Sequence, residues 1–179
     1  RRLDDRDLML AASMNHDRVP VFRRPKVAIV GTGDELVMPG TEPQPGEIVY
    51  SNGFALTALA RTEGAEARDF GIARDSLDAI RAHIGRARDW GADILVTTGG
   101  ASVGEHDLVQ KALKAEGLDL SFWRVALRPG RPMMHGRLGD LQVLGVPGNP
   151  VSSYVCSVLF LVPLIRRLSG RSDIERVRE

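Results

Sequence analysis

The sequence predicts an α/β domain, a three-layer fold with one mixed, mostly parallel sheet and helices on both faces. Three observations carry this prediction. Between residues 26 and 116 strand-like runs alternate with helix-like runs, the pattern of parallel strands joined by crossover helices. Four runs, Lys26 to Val30, Ala65 to Ile72, Asp93 to Thr97 and Leu141 to Val146, each end in a turn of Gly, Thr, Asp or Pro that could hold an anion. Toward the end Leu120 to Leu127, Pro132 to Leu138 and Leu141 to Val146 are joined by short Pro-Gly or Gly-Asp turns, which adds an antiparallel hairpin.

Taken in order, Leu3 to Met14 reads as a helix, with Asp4 or Asp5 as N-cap and Leu8, Leu10 and Ala11 on one side. Asn15 to Pro25 carries Pro20, Pro25, Arg23 and Arg24, which suits an extended connector. Residues 1–25 are therefore a helical lead-in and linker from a preceding domain, 26–170 the α/β domain and 171–179 a charged tail. Helices are expected over Ser51 to Glu63, Asp75 to Trp90 and Gly104 to Glu116. The apolar run Val151 to Ile165 falls short of the roughly 20 residues a membrane span needs and contains Ser152, Ser153, Ser157 and Pro163. It reads as a buried helix.

Composition narrows the function. A chain of 179 residues suits one domain with its own core. With 24 Lys and Arg against 23 Asp and Glu the net charge is +1, which argues against a general nucleic-acid or membrane surface, so any anion site must be local. The single Cys156 permits no internal disulfide, and a reducing, cytoplasmic setting follows. The chain opens on Arg1 with no secretory signal and reads as a piece of something longer. His16, His83, His106 and His135 show no metal-ligand spacing, and the few aromatic residues offer no base-stacking platform.

Where the parallel strands end, their loops should gather at one sheet edge, the place where open α/β folds bind ligands. Gly31-Thr32-Gly33 fails the dinucleotide fingerprint because Leu36 stands where its third Gly belongs. Gly99 to Gly104 opens like a P-loop, but Glu105 and His106 follow where Lys and Ser or Thr are required. Gly100-Ala101-Ser102-Val103-Gly104 fits a nucleophile elbow, with Asp119 and His135 as nominal partners, yet no oxyanion-type His-Gly-Gly loop precedes it. Ser102 and Glu105 fit a capping box better, while the Gly-rich turn before them leaves backbone N–H groups and a helix dipole for phosphate.

The acidic and basic residues keep alternative readings at this stage. Thr32 and Glu35 also have capping-box spacing, but Pro39-Gly40 breaks the chain at once. Asp34 and Glu35 then suit a divalent ion or hydrogen bonds from a base or pterin edge, or are simply solvated. Asp75 reads as an N-cap; Asp107 suits a metal ion or proton transfer, or a surface Asp stabilised by the dipole. On a strand Arg124 and Arg128 share a face and Pro129-Gly130 turns Arg131 back, so guanidiniums converge on an oxyanion or else defend an exposed edge. Pro147-Gly148-Asn149-Pro150 is a rigid turn into a helix, either a second anion seat or a connector.

Gly31-Thr32-Gly33-Asp34-Glu35-Leu36, Ser51-Asn52, Gly71-Ile72-Ala73-Arg74-Asp75, Thr98 to Asp107, Arg128 to Pro132 and Pro147 to Ser152 together resemble the molybdopterin molybdenumtransferase family. This is the MoeA family, which includes the gephyrin E domain, and the match runs from about Arg1 to Gly170. The resemblance implies the molybdopterin-binding fold shared with MogA and MoaB. It also implies an enzyme that takes adenylylated molybdopterin and molybdate and, with a divalent cation such as Mg²⁺, releases AMP. By motif matching, Glu35, Asp75 and Asp107 fall on the family's important acidic positions and Arg124 and Arg128 on its basic ones; within that set the carboxylate chemistry of Glu35 and Asp107 suits them as ligands of the cation. Ligand contacts are then expected from Thr32, Gly33, Asp34, Ser51, Asn52, Thr98, Gly99, Gly100, Ser102, Val103, Gly104, Arg131, Pro147, Gly148, Asn149, Pro150 and Ser152.

This chain departs from the family pattern in three ways. The basic positions are commonly Lys, and Arg replaces a point donor with a planar fork. Tyr50 stands where an Asp is common. Family enzymes also carry further domains on both sides, so a catalytically incomplete fragment is expected. A MogA-type molybdopterin adenylyltransferase is the alternative, opposed by the lead-in before Lys26 and by the Gly-Gly-Ala-Ser-Val-Gly loop; a non-catalytic binding scaffold is another. The implied partners are the small-molecule substrates, a second copy of the chain as in dimeric full-length relatives, an adenylyltransferase and molybdoenzymes, with no nucleic acid or membrane.

Overall fold

A computed structural model describes residues 2–99, 108–128 and 130–174. The lead-in helix α1 (Asp5–Ser13) has Asp4 as its N-cap: the Asp4 carboxylate accepts from the N–H groups of Arg6 and Asp7, and the Asp7 carboxylate accepts from the Asp4 N–H. None of its residues is buried. The connector to Pro25 contains no regular element, as its prolines predict.

The domain is a six-stranded sheet in the order β4 (Glu66–Ala73), β1 (Lys26–Thr32), β5 (Ile94–Thr98), β8 (Leu141–Val146), β7 (Met134–Leu138), β6 (Asp119–Trp123). The first four are parallel to their neighbours, and β7 and β6 close the sheet as antiparallel strands. The mixed, mostly parallel α/β class expected from the sequence is the class found. One face is covered by α2 (Asn52–Thr62), α5 (Pro150–Cys156), a π-helical turn (Ser157–Leu161) and α6 (Val162–Leu168); the other by α3 (Leu77–Asp89) and α4 (Leu108–Ala115). The two-residue period sorts the central strands between them. Val27, Ile29, Ile94, Val96 and Leu144 face the first layer, Ala28, Val30, Leu95 and Val143 the second, which is why the middles of these strands are apolar on both sides.

The helix from Pro150 to Leu168 is long and apolar enough to cross a membrane by length and composition. Here Cys156, Leu161, Val162 and Ile165 instead pack in the core of the sheet.

Two expectations are corrected and one element is added. Asp75 does not cap the third helix: the Ser76 hydroxyl accepts from the Ala79 N–H and α3 starts at Leu77. The strand expected over Leu120 to Leu127 stops at Trp123, because Arg124 adopts φ 74, a left-handed conformation that breaks the ladder. A two-stranded parallel pair, β2 (Leu36–Val37) with β3 (Ile48–Val49), was not predicted; each strand is too short to show a period.

At the C-terminus of α2, Glu63 is buried and accepts from Arg166 Nε at 2.8 Å and Nη2 at 3.2 Å, with Arg171 Nη1 at 3.6 Å. Glu63→Gln keeps the shape and loses the charge facing two guanidiniums, so the cost is expected to be about 2 kcal/mol. For a chain of this size that lowers the melting midpoint by about 5 °C, to be measured by circular dichroism.

Candidate functional site

Strand direction decides where the loops meet. The parallel strands deliver Ala73, Thr32, Thr98 and Val146 to one edge of the sheet. Since Met134 lies opposite Gly145 and Trp123 opposite Met134, the β6–β7 connection emerges at that edge too. From β4 to β6 the row spans five strand spacings, about 24 Å. Its acidic end is Asp34 and Glu35 after β1 and Asp75 after β4; its basic end is Arg124, Arg128 and Arg131 between β6 and β7.

Between the β1 and β8 loops lies a cavity of about 230 Å³. Thr32 and Glu35 line it from the first loop, Tyr50, Ser51 and Asn52 from the β3–α2 junction, Thr98 and Gly99 from β5, and Gly148, Asn149 and Pro150 from the β8–α5 turn. Nine of the residues expected from the sequence are thus brought together. Gly99 has φ 90, and a Cβ there would meet the Thr32 carbonyl at 2.5 Å, so this approach of β5 to β1 requires glycine. Thr32 Oγ1 donates to the Thr98 carbonyl at 3.3 Å and Asn52 Nδ2 to the Gly148 carbonyl at 2.8 Å, which ties the end of β1 to that of β5 and the start of α2 to the β8–α5 turn. Asn149 Oδ1 accepts from the Ser152 N–H at 3.1 Å and from its hydroxyl at 3.3 Å, so both side chains serve the cap of α5.

Glu35 is the carboxylate on the described wall of this cavity. Its side chain folds back over Gly33, whose φ is 146 and where any Cβ would collide with the carboxylate. Asp34 and Asp75 stand outside the cavity and bond to each other's backbone. Among the described residues no three His, Cys, Asp or Glu side chains gather to hold a metal. Gly100, Ser102, Val103, Gly104 and Asp107 lie outside the described residues, as do Ala101, Glu105, His106 and Pro129.

The basic loop has its own architecture. The Arg124 N–H donates to the Met133 carbonyl at 2.7 Å, the Val125 N–H to Arg131 at 3.1 Å, and the Arg124 guanidinium stacks 4.6 Å from the centre of the Trp123 ring. Although the ladder has ended, Val125 and Leu127 still pack on the core and Arg124, Ala126 and Arg128 stay exposed. The expected common face therefore survives through side-chain packing rather than through strand pairing. The loop tip rests on α5, where Cys156 Sγ is 3.7 Å from the Gly130 carbonyl.

Residues that sequence reasoning left out of the site are Leu36, Ile48 and Val49, the apolar wall, and Tyr50, noted only as a departure. The apolar pair just before Ser51-Asn52 was the available signal. Tyr50 is 1% exposed and its hydroxyl donates to Asp69 Oδ1 at 3.0 Å. Burial, reinforced by the Asp69 carboxylate, pushes the phenol above its ordinary value, so it remains a donor. A larger cavity of about 570 Å³ lies at the opposite edge, beneath the linker, but three of its arginines are engaged structurally. Arg23 pairs with Asp93, Arg61 donates to the Ala67 carbonyl and Arg171 pairs with Asp173.

Fold and cavity define an α/β domain with a hollow of small-molecule size beyond the carboxyl ends of its parallel strands, where open α/β folds bind ligands. The family model described as a probable molybdopterin binding domain matches residues 28–167, and the chain belongs to that family. A molybdopterin molybdenumtransferase from a Nostoc species is 39% identical over 172 residues, which cover 94% of this chain and 39% of that protein. Another from Haemophilus influenzae is 37% identical over 167 residues, covering 93% of this chain and 41% of the relative. The crystal structure of a molybdopterin biosynthesis MoeA protein from Pyrococcus horikosii superposes with a TM-score of 0.84 at 35% identity, over 96% of this chain and 42% of the other. The chain thus spans about two fifths of the length of these relatives.

Proposed function

We propose that this domain serves molybdenum cofactor biosynthesis as the molybdopterin-binding part of a molybdopterin molybdenumtransferase. Adenylylated molybdopterin lies along the carboxyl edge while the two dithiolene sulfurs replace two oxygens of molybdate, which leave as water with the thiol and solvent protons, and water cleaves the phosphoanhydride bond to leave the pterin phosphate and AMP. The observation that carries this reading is the graded row of loops. A cavity that carries Glu35 on a partly apolar wall stands near its acidic end and exposed guanidiniums at the other, about the reach of an extended dinucleotide-sized ligand. The guanidiniums of Arg124 and Arg128 suit bidentate binding of an oxyanion such as molybdate or phosphate.

The donor chemistry fits Mg²⁺: Glu35 offers a hard oxygen ligand on the cavity wall, and one or two carboxylates plus substrate phosphates is the usual arrangement for that ion. Glu35 and Asp107 would hold it, and when bound it would neutralise phosphate charge. Thr32, Ser51, Asn52 and the glycines of the Thr98 and Pro147 loops orient the ligand by backbone and hydroxyl contacts. The setting proposed is the cytoplasm, with a second copy of the chain, an adenylyltransferase that supplies the substrate and molybdoenzymes that receive the product.

Calorimetry with adenylylated molybdopterin in Mg²⁺ buffer tests this reading. One saturable site is expected, weakened about tenfold or more by Arg128→Ala, the loss of a charge-assisted hydrogen bond. Absence of binding, or AMP transfer onto molybdopterin from ATP, overturns it.

A further inference from the structure

We infer that Asp34 and Asp75 are positioning residues that form a clasp between the β1 and β4 loops and act on the ligand only through Glu35. The Asp75 N–H donates to Asp34 Oδ1 at 3.1 Å and the Asp34 N–H to Asp75 Oδ2 at 3.4 Å, so each carboxylate holds the other's backbone. Arg74 Nη1 donates to the Asp34 carbonyl at 2.8 Å, and the Gly33 N–H to the Ala73 carbonyl at 3.3 Å. Four bonds therefore fix the peptide just before Glu35 to the end of β4. On its other side Glu35 is held by β3, since its carbonyl accepts from the Ile48 N–H at 2.7 Å.

Neither Asp34 nor Asp75 lines the cavity, whereas Glu35 between these anchors does. Without the clasp the loop from Gly33 to Glu35 would be an exposed turn on an outer pair of strands, and the Glu35 carboxylate would be spread over many orientations. The carboxylates thus act as hydrogen-bond acceptors. Arg74, beside them, offsets the proximity of two negative charges.

This inference rests on the proposed ligand for its binding readout, and substitutions that separate acceptor from charge test it. Asn keeps an acceptor oxygen and loses the charge; Ala loses both. Calorimetry with adenylylated molybdopterin and Mg²⁺ is expected to show Asp34→Asn and Asp75→Asn within about threefold of the parent, and Asp34→Ala and Asp75→Ala about tenfold weaker. In a Glu35→Gln background the Ala substitutions are expected to add nothing. Asn variants as impaired as Ala, or losses that add to that of Glu35→Gln, overturn the clasp and make the charge itself the working group. Amide hydrogen exchange in the ligand-free chain keeps the test independent of the ligand. The Asp34 amide should lose protection in Asp75→Ala and keep it in Asp75→Asn, and unchanged protection in both refutes the clasp even if the proposed ligand proves wrong.

Discussion

Glu35→Gln is expected to remove the Mg²⁺-dependent part of ligand affinity, a loss of about ten- to a hundredfold, while leaving the melting midpoint nearly unchanged. The magnitude follows from chemistry: a hydrogen bond or ion contact to a charged group is worth about 1.5–3 kcal/mol, and each 1.4 kcal/mol is about tenfold. The small effect on stability follows from geometry. Glu35 is an exposed residue on a loop, pinned by backbone bonds through Asp34 and Ile48 that the substitution does not touch. Gln has the same length and folds over Gly33 in the same way. Titrations with and without Mg²⁺ separate the two contributions: parent and variant should differ in Mg²⁺ and nearly coincide in chelator. Equal affinities in Mg²⁺ would exclude Glu35 from the cation site.

The row of loops was legible because it depends on strand direction, which alternation of strand and helix patterns dictates. Val27 to Val30, Ile94 to Val96 and Val143 to Val146 carry no polar side chain, the mark of strands buried on both faces, and the Gly and Thr residues after them had to stand at one edge. Asp75 shows where that reasoning stops. An Asp at a helix start satisfies the composition rule for an N-cap, but Ser76 satisfies it equally, and only the position of Asp34 across the β1–β4 gap decides which side chain turns inward. Arg124 is a second case. Its strand-like neighbours gave no local sign of a positive φ; the conformation is imposed by the hydrogen bond to Met133 and the stack on Trp123. Long-range partners of this kind have no signature in a window of a single sequence.

Gly53→Ala is expected to lower stability by about 3 kcal/mol, against the direction helix propensity alone would give. In a helix interior Ala is favoured over Gly by about 1 kcal/mol. Gly53, however, sits buried in the first turn of α2, where a Cβ would land on the Tyr50 hydroxyl and the Asp69 carboxylate. The Tyr50 ring has little room to retreat, because it is 1% exposed and packs so closely on Gly31 that a Cβ there would be only 2.5 Å from Cε2. Overpacking costs about 1–3 kcal/mol and the broken bond to a carboxylate a similar amount, so the steric term outweighs propensity. At 2–4 °C per kcal/mol the midpoint should fall by about 10 °C. The ring also forms the floor beneath Ser51 and Asn52, so ligand affinity should fall with it. Tyr50→Phe removes the hydroxyl and leaves Asp69 still accepting from the Gly71 N–H at 2.9 Å, a milder change. If the collision is with the hydroxyl, the double variant Tyr50→Phe/Gly53→Ala loses less than the sum of the two single losses, a coupling measurable by thermal unfolding. Strict additivity would mean that Tyr50 fills the floor without bearing on α2. The aromatic side chain at a position where the family commonly has Asp would then be a passive filler rather than the strut that sets the cavity wall.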